Sequence, residues 1–105
     1  MQQRVASSGP IPLPPGAEVR AATSRGVTLR CSQAIPPGSV LEFDLWLGAR
    51  PLQVLARVVK SVSEDASGHV FQTEFVALAQ MERDILADFL QAVGPEALRA
   101  RPRAE

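Results

Sequence analysis

The sequence predicts a mainly β protein: a small antiparallel β-barrel of about six strands with one C-terminal amphipathic α-helix. Three observations carry that expectation. Apolar and polar residues alternate through several short segments between positions 17 and 75. Turn signals separate those segments: Ser24-Arg25-Gly26, Pro36-Pro37-Gly38 and the stretch from Glu64 to Gly68. After Leu78 the apolar spacing lengthens to that of a helix. Such a pattern leaves a barrel and a sandwich both open.

Residues 1–16 hold four of the nine prolines. Proline lacks the amide proton that a strand ladder needs, so this segment is expected to be flexible, with Ile11 and Leu13 leaning on the core. Residues 17–93 form the expected domain, and 94–105 a tail. In the first strand Val19, Ala21 and Thr23 alternate with Arg20 and Ala22. In the second, Val27, Leu29 and Cys31 alternate with Thr28, Arg30 and Ser32. The clearest strand follows, with Leu41, Phe43, Leu45 and Leu47 on one face and Glu42 and Asp44 on the other. Leu52, Val54, Ala56 and Val58 stay in phase, and a slip near Lys60 predicts a bulge. Phe71, Thr73 and Phe75 line a last strand. Met81, Ile85, Phe89 and Val93 form the helix stripe, read as core packing, with Leu86 and Leu90 beside it; Gly94-Pro95 ends the helix.

The chain has 105 residues, with 11 Lys+Arg against 11 Asp+Glu. That is room for one core. The zero balance speaks against a nucleic-acid coat or an anionic-membrane binder, so no DNA, RNA or membrane partner is expected. No apolar run is long enough to span a bilayer, and residues 1–9 lack a signal-peptide core. With Cys31 alone, no disulfide forms within the chain, and a cytoplasmic location is expected. His69 is the only histidine, so a metal site lacks ligands. Ser24 has no histidine base in any motif. Asp84 and Asp88 lie on the solvated helix face. The expectation is a non-enzymatic module without a cofactor.

Two kinds of contact surface remain. Arg20, Arg25 and Arg30 recur every five residues and would converge on a basic surface if their hairpin is tight. Trp46 faces away from Leu45 and Leu47, and Val40 shares its face; the pair is the candidate partner contact. Arg99, Arg101 and Arg103 read as a solvated tail.

The run Ser24-Arg25-Gly26-Val27-Thr28-Leu29, followed by Ile35-Pro36-Pro37-Gly38-Ser39-Val40-Leu41-Glu42-Phe43, resembles the middle of a PilZ domain. Val54-Leu55-Ala56-Arg57-Val58-Val59 and Phe71-Gln72-Thr73-Glu74-Phe75 resemble that family's later strands. The resemblance spans about residues 17–92. It implies a β-barrel with a C-terminal helix and a role in bacterial signalling. Many PilZ domains are receptors for cyclic di-GMP; others act through protein contacts.

The family's binding signature joins an Arg-x-x-x-Arg to an Asp/Asn-x-Ser-x-x-Gly turn. Arginine forks onto phosphate or guanine, the acid reads the guanine N–H edge, and glycine lets backbone approach the ligand. Here Ser24 matches, but Ala22 stands at the acid and Val27 at the glycine. Shifting the frame to Gly26 puts Ala21 at the acid. Arg4 is followed at the required spacing by Ser8, and the pair Arg99 and Arg103 lies at the other end of the chain. Losing one arginine and the acid removes roughly 2–6 kcal/mol, against about 8 kcal/mol for a micromolar ligand. The resemblance therefore implies an adaptor with an unidentified protein partner, monomeric or homodimeric, that does not bind cyclic di-GMP in the usual way. The alternative is a receptor using Arg4, Arg20, Ser24, Arg25 and Gly26.

Overall fold

The structure, a computed structural model, describes residues 9–65 and 68–103. Strand accounts for 53% of it and helix for 18%, so the mainly β class holds. The elements are β1 (Ile11–Pro12), β2 (Glu18–Thr23), β3 (Gly26–Cys31), β4 (Val40–Leu47), β5 (Arg50–Asp65), β6 (Gly68–Phe75), α1 (Gln80–Ala92), a 3-10 turn (Pro95–Ala97) and β7 (Leu98–Pro102).

All seven strands join one sheet in the order β1-β4-β5-β6-β3-β2. β7 shares the outer edge of β4 with β1: β1 runs parallel at Leu41 and Glu42, and β7 antiparallel from Phe43 to Leu47. The remaining pairs are antiparallel. The sheet is not closed into a hydrogen-bonded barrel. Its two edges, β2 and β7, lie side by side. Ala17, Glu18 and Val19 on one side and Leu98, Arg99 and Ala100 on the other line a cavity of about 380 Å3 at that seam.

The inner face is apolar because alternate residues of each strand point to it. Leu41, Phe43 and Leu45 of β4 are fully buried, as are Leu29, Ala56 and Phe71. The turn at Pro36-Pro37-Gly38 sends the chain into β4. Gly38 sits at φ +94°, where a side chain would be strained, and Ser39 N donates to Pro36 O at 3.2 Å. The predicted slip in β5 is present as a register shift between Val58 and Lys60. It leaves Val59 exposed.

Three expectations change. A bulge between Val19 and Ala21 reverses the alternation of β2, so Val19 and Ala22 pack on the core while Ala21 and Thr23 are exposed. The segment 94–105, expected as a solvated tail after the last element, instead carries β7. Leu98 and Ala100 fill its inner face, which is why an arginine-rich stretch pairs with β4. The helix is therefore not the final element. In the proline-rich start, Ile11–Pro12 forms a short strand and Leu13 is buried.

The helix stripe is also rotated from its expected position. Leu86 is fully buried and Ile85, Phe89 and Leu90 pack at the core's margin, but Met81 is 73% and Val93 53% exposed. Ala79 has no side-chain acceptor to cap α1. Only the return half of a capping box forms, with Ala79 N donating to Glu82 Oε1 at 3.1 Å.

Candidate functional site

The turn from Thr23 to Gly26 joins β2 to β3 and stands against β6 and α1. Several of its polar groups are engaged by the protein itself. Arg25 N donates to Thr23 Oγ1 at 3.1 Å. Arg25 O accepts from Phe75 N at 2.8 Å. The Ser24 carbonyl accepts from the Arg83 guanidinium at 3.1 Å, which ties the turn to α1.

Beyond Thr28 the β3–β6 ladder is continued by a side chain. Thr73 Oγ1 donates to Val27 O at 2.8 Å and accepts from Val27 N at 3.3 Å. One buried hydroxyl thus serves both backbone groups of Val27. Gly26 lies hard against the Thr73 carbonyl, where a Cβ would collide. Its place in the sequence suggested backbone access for a ligand; its place in the fold is a strand contact. Replacing Thr73 with valine keeps the shape and orphans a buried N–H and a buried C=O. We expect a loss of about 2 kcal/mol in chemical denaturation, and Thr73→Ser to retain most of the stability.

A cavity of about 270 Å3 opens beside this turn. Its lining includes Ala22, Thr23, Arg25 and Gly26, with Gln72 and Glu74 of β6 opposite. A smaller one, about 250 Å3, is lined by Arg25, Glu74, Phe75 and Arg83. The predicted site residues are only partly brought together here. Ser24, Arg25 and Gly26 share the turn. Arg30 lies toward the opposite end of the hairpin, in register with Glu18, and its guanidinium stacks over Gly68. Five residues of strand separate it from Arg25, about 16 Å. Arg20 sits at the β2 bulge. The three arginines do not form one basic surface. Arg4 lies outside the described residues.

The second candidate surface is the outer face of β4. Trp46 is half-buried there, as the alternation required, between Arg99 of β7 and Pro51 of β5 in register. Val40 is six residues away on the same strand, about 20 Å, with Glu42 and Asp44 between. The two therefore do not make one apolar patch. Asp44 is 7% exposed. Arg103 approaches Glu42 at 3.8 Å and Asp44 at 4.0 Å, and its Nη2 donates to Val54 O at 3.1 Å. Sequence reasoning missed this cluster because it assigned Arg103 to a tail.

Cys31 is buried, and its Sγ donates to Gln33 O at 3.1 Å. Among the described residues no cluster of His, Cys, Asp and Glu could hold a metal ion. Nor is any helix among them long and apolar enough to cross a membrane. Compared with protein-family models, curated proteins and solved structures, the chain matches none.

Proposed function

We propose that this chain is a PilZ-like signalling or adaptor module that works through protein contacts and does not hold cyclic di-GMP in that family's usual way. The observation that carries the reading is the state of the turn. Val27, at the position of the signature's last glycine, is a core residue only 2% exposed. Ala22, at the position of the acid, packs on the core. The carbonyls of Ser24 and Arg25 already have partners from Arg83 and Phe75. The turn itself offers neither a carboxylate for a guanine edge nor a glycine path for close backbone approach, and the carboxylate across the cavity is that of Glu74 on β6.

One observation favours the alternative, a cyclic di-GMP receptor with non-standard contacts: the cavity beside the turn, with Arg25 on its rim. At about 270 Å3 it is small for a dinucleotide, since ligand pockets run from about 300 to 1,000 Å3. Calorimetric titration with cyclic di-GMP separates the two readings. The adaptor reading expects no saturable binding tighter than about 10 μM. Tighter binding that Arg25→Ala abolishes would replace it with the receptor reading.

A further inference from the structure

We infer that the outer face of β7, β4 and β5 docks an extended acidic peptide segment; this rests on the adaptor reading and names the surface and the chemistry of its partner. The strand registers build the face row by row. Arg99, Trp46 and Pro51 form one row. Arg101, Asp44 and Gln53 form the next, and Glu42 and Leu55 lie beyond them beside Arg103. The acids of this face both lie near Arg103, Glu42 at 3.8 Å and Asp44 at 4.0 Å. Arg101 is exposed and makes no ion pair among the described residues. Arg99 donates to two carbonyls, Glu96 O at 2.9 Å and Leu98 O at 3.0 Å, which hold its guanidinium in place without neutralising it.

Two cations without an ion pair among the described residues thus stand two residues apart on one strand, about 6.6 Å, Arg101 across from Asp44. An extended peptide presents same-side side chains at the same repeat, so glutamates at alternate positions fall over Arg99 and Arg101 together. The exposed part of Trp46, directly across from Arg99, offers an apolar contact for a neighbouring side chain. A single-stranded nucleic acid fits less well. It needs several stacking platforms along a continuous basic groove, and this face has one aromatic ring.

The test uses a labelled peptide that alternates glutamate and threonine around one central leucine. It is followed by fluorescence anisotropy and by Trp46 emission at low and moderate salt. A peptide of the same composition with its glutamates in one block, and an oligothymidylate of equal charge, serve as competitors. The expected result is binding of the alternating peptide that weakens with salt and shifts Trp46 emission. Arg101→Glu weakens it about tenfold or more, Arg101→Gln less. Lys60→Glu, an equal charge change where β5 has left β4, leaves it unchanged. No binding, equal loss in Lys60→Glu, or preference for the block peptide or the oligothymidylate overturns the proposal. The cyclic di-GMP titration is independent of this one, so nucleotide binding would overturn the adaptor reading and leave the peptide result to be judged by itself.

Discussion

Alanine at Gly26 is expected to cost about 3 kcal/mol or to prevent folding altogether. The argument is steric and local. A Cβ built at Gly26 collides with the Thr73 carbonyl and lies 3.0 Å from the Cα of Glu74. Both obstacles are backbone, held in β6 between β5 and β3. Neither can rotate away as a side chain tip would. Relief requires β3 to move off β6, which would break the paired bonds between Thr73 Oγ1 and Val27. Gly68 supplies the control. The three atoms nearest a Cβ there all belong to the guanidinium of Arg30, with Cζ at 2.6 Å, the far end of a flexible side chain. Gly68→Ala is expected to fall within about 1 kcal/mol of wild type, because the shifted arginine is offset by the smaller conformational freedom of alanine in the unfolded chain. Urea unfolding of both variants decides it. Equal stabilities would mean that Gly26 is retained for something other than the contact between strands.

That contrast shows where sequence reasoning reaches its limit. Gly26 was legible as a turn glycine, since Ser24-Arg25-Gly26 separates two alternating runs. Its approach to Thr73 was not, because the partner lies forty-seven positions away and nothing local announces a pairing. β4 could be read directly: four apolar residues in strict alternation allow only one register with a buried face. The bulge in β5 could also be read, because the slip after Val58 breaks an otherwise regular phase. The bulge in β2 left no such trace. Ala21 and Ala22 are alike in size and hydropathy, so either could face the core. β7 was hidden for a related reason. Leu98 and Ala100 are its only buried residues, and arginines surround them. A strand with so little apolar surface forms only because β4 offers a free edge to pair with. The candidate site at the turn was found by its residues, whereas the arginine row of β7 became visible only once the strand register placed it across from Trp46.

The helix offers the second large effect, with an internal comparison. Met81, Ile85, Phe89 and Val93 recur every four residues, which suggests one continuous face. An α-helix has about 3.6 residues per turn, so each four-residue step overshoots a full turn by about 40°. Over three steps the stripe drifts by about 120°, and its two ends cannot both face the core. The structure resolves the conflict by burying the middle. Leu86 is 0% exposed, Ile85, Phe89 and Leu90 flank it, and Met81 and Val93 remain largely in solvent. Leu86→Ala should therefore leave a cavity between α1 and the sheet and cost about 3 kcal/mol. Met81→Ala, which removes as many heavy atoms from a residue of the sequence stripe that is 73% exposed, should stay within about 0.5 kcal/mol. Denaturant titration of the two variants distinguishes a helix docked through Leu86 from one docked through the stripe. If Met81→Ala proves the costlier change, α1 is covered on its outer side in solution, and concentration-dependent stability would identify that cover as a second copy of the chain. If Leu86→Ala is the costlier, the helix is a plug held at its centre. Its Arg83 guanidinium then ties that plug to the Ser24 carbonyl, in the turn at the rim of the cavity.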